Sequence, residues 1–385
     1  MQNTKPIIAI LVLVTMLFSC TKEKKIYTEK DLRSAVYTED LETIQKGLDQ
    51  GIDIDSKDSM GDTMLTIAIV PSRSTEIVAY LLEQGADPQD LLTFTPTKQG
   101  ILTYTSSINL DLSYLSPDKT KLLLQYGADP NSFGDSEVST LMKYVGFLNF
   151  EKEHGTKIEY KNVLASMELI LKAGADPNFR GEKSGLSALS VALTYDFRDA
   201  VDLLLKYGAK PSAKPIRLDY NYDPLNYKEY DENYGVTWQS DTYLYAANGY
   251  TDLLMPYIKS GEINPYTKTP NGWDYFFYAV RGGHPEMVKA LLPYIKNINT
   301  MFYDVRTGPI SDTHFSLLMV AVASESPYGK SEHVAVAKLL LDAGIDLNLE
   351  GLENEVNKIT AMHETKSLDM SRLLLKKAYS LSGLN

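Results

Sequence analysis

Runs of consecutive apolar residues recur along the chain, each ending in nearly the same polar phrase. "LLLQYGADPN" spans Leu122–Asn131, with close copies at Leu169 ("LILKAGADPN"), Leu203 ("LLLKYGAKPS") and Leu339 ("LLLDAGIDLN"). Three adjacent apolar residues cover more than one face of a helix, so such a helix needs neighbours on two sides. Shorter apolar runs lie upstream of these: "TMLTIA" at Thr63–Ala68, "SALSVA" at Ser187–Ala192, "SLLMVA" at Ser316–Ala321 and "TAMHET" at Thr360–Thr365. The pattern predicts short helices in pairs.

The polar phrase is a stop signal. Gly127 falls where a helix end turns left-handed, Pro130 cannot continue a helix, and Asp129 and Asn131 suit a turn through their short side chains. The spacing is regular. Gly51 to Gly85 is 34 residues and Gly174 to Gly208 is 34; Ala35 precedes Gly51 by 16, as Ala192 precedes Gly208. These residues resemble the ankyrin repeat, whose signature is Thr-Pro-Leu-His-x-Ala with a period of about 33. "GGHPEMVKALL" (Gly282–Leu292) is similar to that family's linkage between its two helices.

The resemblance implies an all-α ankyrin-repeat solenoid of about nine units, with finger turns along one edge. It covers nearly everything from Lys25 onward. It is strongest in units two, four, five and eight and weaker near residues 94–126 and 238–300. Physically, one helix pair cannot bury its own apolar surface, whereas a stack of pairs can. Pro256 and Pro293 predict early ends for two second helices, since an interior proline costs about 3 kcal/mol. The last unit has Lys377 where glycine stood before, and Lys376 and Lys377 suit a terminal helix end, so it reads as a cap.

Extra residues mark where the array departs from a plain scaffold. Gly51 to Thr63 is 12 residues, but Gly208 to Asp241 is 33, roughly 21 more than a finger needs by that period. The insertion at 213–238 holds Tyr220, Tyr222, Tyr227, Tyr230, Tyr234 and Trp238, and its stretch Arg217–Trp238 carries five acids and two bases. Such rings offer rigid contact area with a polar tip. The segment reads either as a strut covering the junction before Tyr243 or as a contact surface. Smaller expansions at Gly146–Lys161 and Ser324–Ser331 read as loops between helices. Candidate contacts on the fingers are Phe133, Asp135, Phe179, Arg180, Glu182, Tyr266, Lys268, Trp273 and Tyr303.

Charge and the N-terminus add location. The formal net charge is −12, which argues against nucleic acid and mildly favours a basic protein or cationic surface as partner. Residues 1–19 carry Lys5 and the apolar run Ile7–Leu17, too short to span a bilayer, ending in "LFSC". Cys20 is the single cysteine, and this ending resembles a bacterial lipoprotein signal. That resemblance implies cleavage before Cys20, acyl chains on it, a short leash at 20–25 and a repeat domain at 26–385. Removing residues 1–19 takes away only Lys5 among the charges, leaving −13. Thr21 after the cysteine resembles sequences sorted to an outer membrane.

The chemistry of enzymes is not written here. There is no paired-cysteine metal site, His-Glu-x-x-His or Gly-x-Ser-x-Gly, and "GEKSG" lacks the spacing of a phosphate loop. The acids of "DIDSKDSMGD" do not follow the calcium-loop order. His284 and His363 sit at positions where the ankyrin resemblance implies hydrogen bonds to backbone between repeats. The expectation is therefore a non-enzymatic binder of another protein. It has no catalytic residue, cofactor, metal or small-molecule substrate, and it is tied to the bacterial envelope through lipid on Cys20. The alternative is a structural envelope lipoprotein without a specific ligand.

Overall fold

The computed structural model describes residues 25–59, 61–69, 73–88, 116–131, 138–154, 160–181, 185–214, 216–219, 236–270, 272–303, 314–324, 331–353, 357–362 and 368–382. The chain divides into two compact units. The first holds α1 (Glu29–Thr38), α2 (Leu41–Leu48), α3 (Met64–Ala68), α4 (Thr75–Glu83) and α5 (Pro117–Gln125). In it α1 packs on α2 and α3, α3 on α4, and α4 on α5. Leu32, Ile44, Met64, Leu65, Ile77 and Leu81 make its core. Gly47 lets α2 come close to α1, since a Cβ there would lie 2.1 Å from a Leu32 methyl.

The second unit is a longer stack. Its pairs are α6 (Thr140–His154) with α7 (Tyr160–Lys172), α8 (Ala188–Thr194) with α9 (Arg198–Lys206), and α10 (Asp241–Ala247) with α11 (Thr251–Ser260). Then come α12 (Tyr275–Gly282) with α13 (Pro285–Leu291), α14 (Leu317–Ala323) with α15 (Ser331–Asp342), and α16 (Leu368–Ser382). The inner helices α6, α8, α10, α12 and α14 touch one another in order, and the outer helices form a parallel row behind them. This is the ankyrin-repeat solenoid fold, with each pair buried against the next.

Local chemistry sets each boundary. Inner helices begin at a side-chain cap: Thr63, Ser187, Ser240, Asp274 and Ser316 each accept from a backbone N–H in the first turn. The inner helices α8, α10, α12 and α14 are short and closed in on all sides. Residues 188–193, 241–246, 275–280 and 317–322 are buried without exception. Outer helices end as the glycine pattern predicts. At Gly174 the backbone is left-handed (φ 97°), and the Ala175 N–H returns to the Ile170 carbonyl at 3.2 Å while its methyl packs inward.

Four expectations need correction. The fold is not purely helical. Short strands β1 (Ile216–Asp219) and β2 (Val236–Gln239) pair antiparallel at the base of the long insertion. Fingers also carry β3 (Met301–Tyr303), β4 (His314–Ser316), β5 (Gly351–Glu353) and β6 (Asn357–Ile359), joined in that order into one antiparallel sheet. The two hairpins meet at His314 opposite Leu352, so neighbouring fingers satisfy each other's backbone groups.

Pro256 does not end its helix, because α11 runs through it to Ser260. The proline is exposed, and so is Asp252, whose carbonyl loses its helical partner to solvent. Pro293 behaves as expected: α13 stops at Leu291 and a 3₁₀ turn follows at Leu292–Tyr294. The expected loop at 146–161 is mostly helix, because α6 continues to His154 and α7 starts at Tyr160; residues 155–159 lie outside the described residues. Lys377 does not cap its own helix. Its ammonium donates to the Leu341 carbonyl at the end of α15, 3.3 Å away.

Candidate partner interface

The fingers are built from one repeated hydrogen-bond device. A short polar side chain first folds the turn on itself: Asp129 accepts from the Asn131 N–H at 2.8 Å, Asp176 from Asn178 at 2.8 Å, and Asp346 from Asn348 at 2.9 Å. The next polar residue then reaches the neighbouring repeat. Asn131 donates to the Gly174 carbonyl at 2.9 Å and accepts from the Asp176 N–H at 2.7 Å. Asn178 does the same to Gly208 and Lys210, at 2.9 and 2.8 Å. Asn299 accepts from the Asp346 N–H at 2.8 Å. In the first unit Asp55 accepts from Asp87 at 2.9 Å. Four finger bases are thus locked to the next before any partner arrives.

The finger after α11 is held most firmly. Trp273 lies beneath it, 1% exposed, its ring stacked on Phe277 with centroids 4.6 Å apart. Phe277 meets Phe302 of β3 at 4.9 Å. The Trp273 carbonyl accepts from the Thr269 N–H at 2.8 Å, closing the turn. From α10, the Tyr243 hydroxyl donates to the Thr267 carbonyl at 3.0 Å. On the outer side of this braced turn Tyr266 is 44% exposed and Lys268 is exposed. Lys296 Nζ lies 4.3 Å from the Tyr266 ring centroid and Lys268 Nζ 5.8 Å from that of Phe302.

The finger after α9 is anchored by charge. Asp241 is 1% exposed and accepts from Arg180 Nη2 at 2.7 Å, from the Ser190 hydroxyl at 2.6 Å and from the Ser212 N–H at 2.7 Å. Arg180 also donates to the Gly185 carbonyl at 3.0 Å. These donors take the place of water around the buried side chain.

The sequence-derived contacts therefore divide. Trp273 is corrected: it is a buried strut, because the residue before an inner-helix cap points under the finger. Leu186 fills the same slot at 1% exposure. Arg180 is corrected likewise, since its guanidinium is spent on Asp241 within the stack. Phe179 is half-buried. Trp238 stands in β2 opposite Arg217, and Tyr303 in β3 opposite His314. Phe133, Asp135, Glu182, Tyr220, Tyr222, Tyr227, Tyr230 and Tyr234 lie outside the described residues, as does Cys20.

Sequence reasoning passed over Asp241, Lys210, Lys214 and Lys296. A signal for Lys210 was available, since "GAKPS" places lysine where "GADPN" has aspartate. His284 bonds the Ala247 carbonyl, and burial lowers its pKa. His333 repeats that role one unit on, with Nε2 3.2 Å from the Arg281 carbonyl. Among the described residues no group of three His, Cys, Asp or Glu is placed to hold a metal ion, and no helix is long and apolar enough to cross a membrane.

Residues 243–351 match the family model described as ankyrin repeats (3 copies). The chain is similar to the ANK repeat-containing protein nipk-1 of Caenorhabditis elegans, 25% identical over 185 residues, 44% of this chain. It spans only 28% of that relative's length. Among solved structures it is similar to the human ASB11 ankyrin repeat domain, at 17% identity and TM-score 0.42, covering 71% of this chain and 97% of that one. The ankyrin repeat domain of Bcl-3, a member of the IkappaB protein family, matches at 16% identity and TM-score 0.36, covering 69% and 96%.

Proposed function

We propose that this chain is a membrane-anchored scaffold that binds another protein in the bacterial envelope. An ankyrin array is a protein-interaction scaffold, and one observation carries that reading to this molecule. The finger bases are interlocked by side chains that bond the neighbouring repeat, so the edge loses little freedom on binding. Affinity then depends on a few anchors set in a preformed surface. A stable complex of this kind buries about 1,600 Å² in total.

The finer reading rests on the sequence. Acyl chains on Cys20 supply the anchor, each buried methylene contributing about 0.8 kcal/mol, and more than one chain makes attachment stable. The outer membrane is the compartment, with the leash at 20–25 lying against anionic headgroups. The partner is a basic protein, a reading supported by the net charge of −12. Its role towards that partner is inhibitor, immunity factor or tether, and catalysis is not part of it.

The test is chemical crosslinking in native cells followed by mass spectrometry, in parent and Cys20→Ser strains. The expected result is one stoichiometric protein joined to finger residues, with the variant released from the membrane fraction. Only self-crosslinks, in salt-insensitive oligomers, would favour the structural lipoprotein instead. A chain lacking Arg217–Trp238 tests the insertion, and an unchanged partner set would leave that segment a strut.

A further inference from the structure

The backbone is already fixed at Lys25, five residues after Cys20. The Gln50 side chain, just past α2, donates from Nε2 to the Lys25 carbonyl at 3.0 Å and accepts at Oε1 from the Tyr27 N–H at 3.1 Å. One amide thus grips the chain on both sides of Ile26, as a neighbouring strand would. Lys25 Nζ lies 4.6 Å from the Tyr27 ring centroid. Thr28 and Asp31 then close a capping box, and α1 starts.

That grip holds Ile26 outward. It is 82% exposed, the highest value for a large apolar side chain among the described residues, ahead of Leu381 at 63%. A lone exposed apolar residue is ordinary on a protein surface. Two facts set this one apart. Its pinned backbone keeps it from turning back towards the core of Leu32 and Ile44. It is also the sixth residue after the cysteine that carries the lipid in the reading above. Six residues reach at most about 22 Å when fully extended. Acyl chains hold Cys20 at the bilayer, so the first repeat cannot stand clear of it. Charge does not choose the occupant of this edge, since Lys25 and Lys30 are exposed beside Glu29 and Asp49. Reach does.

We propose that Ile26 is a second, non-covalent membrane contact: the N-terminal edge of the first repeat lies on the bilayer, and this side chain enters the interface between headgroups and acyl chains. The proposal rests on the lipid-anchor reading and goes beyond it by naming the part of the folded repeats that meets lipid. An acyl anchor on a loose tether leaves the repeat beside it free to turn. An apolar side chain on a clamped backbone gives that repeat a fixed foot, so one edge faces lipid and is withheld from protein partners.

The test uses the full acylated chain, reconstituted in phosphatidylcholine vesicles, with an environment-sensitive nitrobenzoxadiazole dye on Ile26→Cys. A second preparation carries the dye on Glu76→Cys, an exposed position of α4. Acylation leaves Cys20 no thiol, so the dye goes to the new cysteine alone. At position 26 the emission should shift to the blue, and a lipid spin-labelled just below its headgroup should quench it roughly twofold, with neither effect at position 76. Added salt should change little, because the contact is apolar. Emission at position 26 like that in water, or equal quenching at both positions, overturns the proposal. A blue shift without quenching would put another copy of the chain over Ile26 and overturns it too. Mass spectrometry of the same preparation separates the two readings. If Cys20 is acylated while position 26 stays in water, this inference fails and the anchor stands; if Cys20 is not acylated, both fail.

Discussion

Two repeats place different residues in one slot, the position just before the inner-helix cap. Before Asp274 it holds Trp273, stacked and sealed under its finger; before Thr63 it holds Asp62, 6% exposed, with one carboxylate oxygen lacking any partner. Arg33 reaches the same finger, donating to the Ser56 carbonyl at 2.7 Å, yet its Nε is also without a partner. Burial raises the Asp62 pKa to about 6, the nearby Asp58 adds to the rise, and Arg33 opposes it. The difference teaches that a common repeat backbone does not imply equally firm fingers. One slot spends apolar area to brace a turn, and the other leaves a charge beneath it.

That contrast can be broken at its strong end. Trp273→Ala should cost about 3–5 kcal/mol, read as a drop in the urea midpoint, because it empties the slot and unstacks Phe277. Asp241→Ala should cost about 2–3 kcal/mol, less than a fully buried pair, because the Arg180 side chain is 30% exposed and recovers water. A loss under about 0.5 kcal/mol in either variant would remove it from the account of finger bracing.

At the weak end the sign reverses. Asp62→Leu copies the Leu186 slot and should stabilise by about 1–3 kcal/mol at pH 7. The folded pKa, about 6, lies above the ordinary 3.8. Asp62 therefore costs nothing below about pH 4, its penalty grows between about pH 4 and 6, and it is constant above. The parent minus Asp62→Asn difference in urea midpoint should show that profile, and a flat difference would deny that the carboxylate is strained. The smallest effect is expected from Asn178→Ala, about 1 kcal/mol, with faster hydrogen exchange at the Lys210 amide whose acceptor is lost.

Much of this architecture could be read before the structure. The recurring Gly-Ala-Asp-Pro-Asn phrase marks helix end, turn and finger base together, and the all-apolar inner runs match helices closed in on every side. The finger strands were not legible, since three-residue pairings such as Met301–Tyr303 carry no period-two signal and depend on a neighbouring finger. Trp273 was misread because an aromatic beside a turn resembles an interface anchor. Aligning it with Leu186, one residue before the cap, gives its buried role.

The central claim is that braced fingers, and not the outer helices, meet the partner. A photo-crosslinking amino acid placed at position 268, and in a second strain at position 338, tests it most directly in native cells. Position 268 should capture a stoichiometric protein that position 338 does not. Equal capture at both, or capture at 338 alone, would contradict it.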